Sequence, residues 1–74
     1  MIKLSNVSIG DKIRVKKLRG NGDSVRRIKE LGLIEDQEIL VLQNFGDGNM
    51  IIKIQESRIA LSNSETENIY GTMV

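Results

Sequence analysis

Ser24-Val25-Arg26-Arg27-Ile28-Lys29-Glu30-Leu31-Gly32-Leu33 is the stretch on which the reading of this 74-residue chain turns. Val25, Ile28 and Leu31 recur at three-residue steps, which places them along one side of a helix. Asp23 or Ser24 can cap its start, because a short oxygen-bearing side chain accepts from the free amides of a first turn. Gly32 supplies the left-handed residue that commonly ends a helix. Leu33 falls where an apolar contact back to Ile28 accompanies such an ending. Ile28, Leu31, Gly32 and Leu33 are thus predicted to be structural. Arg26, Arg27 and Lys29 are left to face water.

On both sides of this helix the apolar period changes from three to two, the period of strands. In Lys12-Ile13-Arg14-Val15-Lys16 the two apolar residues face inward and the three cations outward. Glu38–Phe45 is a second strand, with Ile39 and Val41 on one face and Leu40 and Leu42 on the other, so both faces are partly covered. Gly46-Asp47-Gly48-Asn49 is a hairpin signal, returning through Met50–Gln55. Arg58–Leu61 is a short fourth strand and Tyr70–Val74 a fifth. Between these last two, Ser62 with Glu65 three residues on makes a capping box for a short helix running to about Ile69. Short strands linked by hairpins predict a mostly β, partly open antiparallel barrel of about five strands, since closure removes exposed edges. One helix follows the first strand and a short one precedes the last. The expected core is aliphatic: Leu4, Val7, Ile9, Ile13, Val15, Leu18, Val25, Ile28, Leu31, Leu33, Ile39, Val41, Ile52, Ile54, Ile59, Leu61 and Ile69.

Seventy-four residues fit a single domain over 1–74 and no second core. With no cysteine and no histidine, disulfides, a structural zinc site of the sulfur and nitrogen type, and serine–histidine or cysteine–histidine catalysis are all excluded. Glu35, Asp36 and Glu38 are the densest carboxylates, and without ligand spacing they read as a solvated turn rather than a metal site. Gly20-Asn21-Gly22 lacks the third glycine of a dinucleotide fingerprint and the Lys-Ser/Thr of a phosphate loop, so it reads as a strand-to-helix connection. These exclusions predict a binding protein rather than an enzyme, with no cofactor, no resident metal and no small-molecule substrate. No apolar run approaches membrane-spanning length and the first ten residues lack a signal peptide's pattern, which predicts a cytoplasmic protein.

The net charge of +1 conceals an asymmetry. Residues 1–29 carry nine basic and two acidic side chains, and residues 30–74 carry two basic and eight acidic ones. Two readings follow: a basic surface that meets an anionic partner, or two halves whose charges offset each other on packing. On the first reading Arg14, Lys16, Arg26, Arg27 and Lys29 form the contact face. RNA is one anionic partner to weigh, because eight cations lie within positions 12–29. Only Phe45 and Tyr70 could stack on bases, so such binding would rest on charge and fall steeply with salt.

Arg26-Arg27-Ile28-Lys29-Glu30-Leu31-Gly32-Leu33 resembles the Arg-Leu-x-x-Leu-Gly-Leu signature of the FeoA family. Leu4-Ser5-Asn6-Val7-Ser8-Ile9-Gly10 is similar to that family's opening Leu-x-x-Leu-x-x-Gly. Met50–Ile54 and Arg58–Leu61 are similar to its closing strands. The resemblance covers nearly the whole chain. Ile34, Glu35 and Asp36 stand where the family usually has a residue and then Pro-Gly, and Asp36 tolerates the left-handed conformation that such a turn needs. Thr66 stands at a usual Ala. The resemblance implies a cytoplasmic SH3-like barrel that acts by protein–protein binding to FeoB, a membrane iron transporter with a cytosolic GTP-binding domain. That partner would also recruit it to the inner face of the membrane. It further implies transition-metal binding as a family property, for which this chain offers no soft ligand. A sheet with an open edge also allows self-association.

Overall fold

Period-two alternation becomes strand at each position where the sequence predicts it, and one strand without a local signal joins them. The computed structural model describes all of residues 1–74. Its strands are β1 (Ile2–Lys3), β2 (Lys12–Leu18), β3 (Glu38–Asn44), β4 (Met50–Ile54), β5 (Ser57–Leu61) and β6 (Ile69–Met73). The helices are α1 (Gly22–Glu30) and α2 (Asn63–Thr66), and a 3-10 turn spans Leu4–Asn6. All six strands form one antiparallel sheet in the order β1-β6-β2-β3-β4-β5. Its two end strands do not pair with each other, so the sheet is not closed.

About five strands are expected and six are present. The sixth is β1, whose two residues pair with Gly71 and Tyr70 of β6. A pairing of two residues carries no periodicity of its own. Two irregularities bend the sheet. The register shifts between Val15 and Lys17 in the β2–β6 pair, and between Val41 and Gln43 in the β3–β4 pair. Such bulges increase local twist and help a short sheet curl around a core. At the first of them β6 comes so close to β2 that a β-carbon on Gly71 would run into the Arg14 carbonyl. Only glycine fits there.

The core is aliphatic, as composition requires. Leu4, Val7, Ile13, Val15, Ile28, Leu33, Ile39, Val41, Met50, Ile52, Ile54, Leu61 and Ile69 make one buried cluster. Of the other expected inward residues, Leu18, Val25, Leu31 and Ile59 are half-buried, and Ile9 is 57% exposed. Gly10 follows it with φ of +87°, so the chain turns there and the strand phase that would bury Ile9 is lost. Met50 is buried without having been expected, because it opens β4 on the same face as Ile52 and Ile54. The second helix stops at Thr66 rather than near Ile69, since Ile69 is needed, fully buried, to begin β6.

Candidate partner-docking face

Helix α1 starts one turn earlier than its apolar residues suggest. Asn21 is its N-cap, and the Asn21 Oδ1 accepts from the Ser24 amide at 2.9 Å. The expected caps Asp23 and Ser24 therefore sit inside the first turn, where Asp23 faces the positive end of the helix dipole. At the other end the stop is the one anticipated. The Gly32 amide donates to the Lys29 carbonyl at 2.9 Å and the Leu33 amide to the Ile28 carbonyl at 3.3 Å. This is the pair of bonds that closes a helix on a left-handed residue, and Gly32 has φ of +98°. Ile28 and Leu33 are wholly buried, while Val25 and Leu31 are half-buried. With that side fixed to the core, the other side must face outward.

That outward side carries the cations. The side chains of Arg26 and Arg27 are 71% and 75% exposed, and Lys29 is exposed with no ion pair. Arg26 lies between Asp23 at 3.2 Å and Glu30 at 3.9 Å along its own helix. The Arg27 Nε reaches Glu65 Oε2 at 3.4 Å. The other Glu65 oxygen accepts from the Ser62 amide at 2.9 Å, completing the capping box of α2. Beside Arg27 opens a cleft of about 620 Å³ lined by Ser24, Arg27, Phe45, Ile51, Ala60 and Glu65 among others. Phe45 is 61% exposed, so an accessible aromatic ring and the Arg27 side chain line the same cleft. Sequence alone gave no sign of this placement, because Phe45 and Glu65 reach the helix only through the fold.

Arg14 and Lys16 lie on β2 and are already engaged. Arg14 pairs with Glu38 at 2.9 Å and Lys16 with Asp36 at 2.6 Å. The Lys16 hydrogen bond, followed by its charge, holds the Asp36 carboxyl below the usual carboxylate range. Asp36 has φ of +71°, the left-handed conformation expected of it. Lys16 and Lys29 share the rim of a second depression, of about 450 Å³, floored by Val15, Leu18 and Val25. Arg14 stands apart from that rim. Most of the ion pairs thus join the basic half to the acidic half, as the offsetting reading holds.

The residues do not fit a resident metal. Of the three carboxylates at the turn, Asp36 and Glu38 are committed to cations. No group of three His, Cys, Asp or Glu side chains converges anywhere in the chain. No helix is long and apolar enough to cross a membrane.

Comparison with known proteins places this geometry. The family model described as the FeoA domain matches residues 2–73. A crystal structure of an iron uptake regulatory protein, FeoA, superposes with a TM-score of 0.91 at 23% identity, covering 99% of this chain and 97% of that one. Iron(II) transport protein A from Clostridium thermocellum gives 0.87 at 28% identity, over 99% of this chain and 46% of that one. FeoA of Stenotrophomonas maltophilia, an SH3 domain protein solved with zinc, gives 0.80 at 21% identity, over 96% and 89%. No curated protein matches the chain. The fold is SH3-like, and the chain belongs to the FeoA family, which is associated with ferrous iron transport.

Proposed function

We propose that this chain is a cytoplasmic accessory protein of ferrous iron uptake that docks on the cytosolic part of a FeoB-type membrane GTPase. The observation that carries the reading is the division of α1. Its apolar side is locked into the core by Ile28 and Leu33, and its opposite side presents Arg26, Arg27 and Lys29 to solvent. Structure of that side is already secured by Asn21 and Gly32, so the arginines are free of a folding duty. Arg27 lines a cleft together with Phe45 and Ile51. Arginine beside an aromatic and an aliphatic wall is the composition of an interaction hot spot. Lys16 extends the same face beside Lys29, and Arg14 contributes at its periphery. In this role the chain carries no reaction of its own and modulates the transporter by binding. Ferrous iron is cargo of the transporter and not a ligand of this domain.

Recovery of partners from detergent-solubilised cells tests the reading. With nuclease present, the tagged chain is expected to retain a membrane GTPase. Loss of that protein and recovery of nuclease-sensitive RNA would replace this reading with the nucleic-acid one.

A further inference from the structure

Five of the eleven cations are ion-paired: Lys3, Arg14, Lys16, Arg26 and Arg27. A sixth, Arg19, lies over the Tyr70 ring at 5.3 Å. Of the five that remain, three stand in one line. The registers place Lys12 opposite Leu40, Leu40 opposite Lys53, and Lys53 opposite Arg58. In each strand the neighbours of these residues point into the core: Ile13, Ile39 and Val41, Ile52 and Ile54, and Ile59. The row therefore crosses the outer face of β2, β3, β4 and β5, a span of about 14 Å at the usual strand spacing.

Such an arrangement opposes folding. Residues directly opposite on an antiparallel pair have β-carbons about 4.5–5.5 Å apart, and like charges so placed are destabilising. Lys53 and Arg58 are such a pair, and no carboxylate lies within ion-pair distance of either. Glu38, which lines the depression beside this row, is committed to Arg14 at 2.9 Å. Asp11, next to Lys12, and Glu56, two positions before Arg58, pair with nothing. Beside the row lies a depression of about 300 Å³, lined by Lys12, Gln37, Glu38, Leu40, Lys53 and Gln55. Two ammonium groups and two amides thus line one concavity, with a guanidinium across from one of them. The single carboxylate among the lining, Glu38, is neutralised by Arg14.

We propose that this row is a phosphate-binding site, in which Lys12 and Lys53 hold a phosphate group from the depression and Arg58 approaches it across the β4–β5 pair. A phosphate group carries a charge of about −1.5 to −2 at neutral pH and several strong acceptor oxygens. It relieves the repulsion that the row otherwise builds in. The site is separate from α1 and stands whether or not the helix docks on a transporter. Inorganic phosphate, a nucleotide and a phospholipid headgroup all present this chemistry.

The experiment is a titration of the isotope-labelled full chain with sodium phosphate, followed by amide shifts against sodium chloride at matched ionic strength. The expected result is a saturable change confined to Lys12, Leu40, Lys53, Gln55 and Arg58. Affinity should fall about tenfold in Lys53→Gln and in Arg58→Gln, as expected for loss of one charge-assisted bond. Parallel titrations with GTP and with phosphatidylglycerol vesicles identify the source, which is whichever binds more tightly than inorganic phosphate. If neither does, free phosphate is the ligand. Lys53→Gln is also expected to raise the melting temperature of the phosphate-free protein and to show a smaller further rise than wild type at the same phosphate concentration. Shifts that chloride reproduces, shifts spread over all lysines alike, or phosphate binding undiminished in both variants would overturn the proposal.

Discussion

At the scale of single residues, Thr66 shows how a polar group can be fully enclosed in so small a core. It has no solvent exposure, and its hydroxyl donates to the Gly48 carbonyl at the β3–β4 hairpin. The bond ties α2 to a turn 18 positions away, and neither partner is otherwise linked in sequence. Replacing Thr66 by Val keeps the shape but leaves the Gly48 carbonyl without its donor, at a cost of about 1–3 kcal/mol. Chemical denaturation of Thr66→Val checks this, and unchanged stability would mean that the hydroxyl bond contributes nothing. Thr66 drew notice in the sequence only as a departure from the family's usual Ala. Its burial and its partner were not legible, because both depend on where the hairpin lies. Ile9 was misread for a related reason: alternation predicts a side only while the strand phase persists, and Gly10 ends it.

Among the elements, α1 was the most legible and for a physical reason. A helix stop on glycine is closed by bonds within six residues, so Leu31-Gly32-Leu33 contains its own explanation. The start was less so, since Asn21, Asp23 and Ser24 are all competent caps and local sequence does not choose among them. The fold chooses Asn21. Asn21→Ala is therefore expected to cost about 1 kcal/mol, whereas Asp23→Ala removes an exposed dipole contact and the exposed pair with Arg26, worth less than the cap. Thermal unfolding of the two variants measures the difference, and a larger loss in the Asp23 variant would contradict the assignment. Strand β2 runs two residues beyond the Lys16 where its clean alternation stops. Strands β3 to β5 were legible from alternation within a residue of their ends. Strand β1 was not, because its two residues become a strand only by meeting β6 at the far end of the chain.

Across the whole molecule, the charge asymmetry of the sequence resolves largely into ion pairs between the halves: Lys3–Glu67, Arg14–Glu38, Lys16–Asp36 and Arg27–Glu65. Separations of this order along the chain cannot be read from composition. Exposed pairs contribute little each, about 0–1 kcal/mol, so Arg26 and Arg27, both largely exposed, can exchange their present partners for a docked one. The pairs also set the pH response. Hydrogen bonds from Lys16 to Asp36, from the Asn49 amide to Asp47 and from Lys3 to Glu67 lower these carboxyl pKa values from 3.8, 3.8 and 4.5. A lowered folded-state pKa gives stability that is present above the unfolded value and is lost as pH falls through the folded one. The Glu67 bond raises the Lys3 pKa above 10.5, so that contribution is lost only as pH rises through the higher value. Melting temperature is accordingly expected to be level between about pH 5 and 9 and to drop below about pH 4. A stability maximum at pH 3 would contradict it.

The claim on which the functional account rests is that Arg26 and Arg27 are contact residues. Neither secures the helix, which Asn21, Ile28, Gly32 and Leu33 hold without them. The most direct measurement is calorimetric binding of the purified cytosolic part of the FeoB-type transporter to wild-type protein and to the Arg26→Glu/Arg27→Glu variant, with the variant's melting temperature recorded alongside. Affinity is predicted to fall at least about tenfold while the fold persists, and wild-type affinity to weaken with added salt. Equal affinity in a folded double variant would contradict the account.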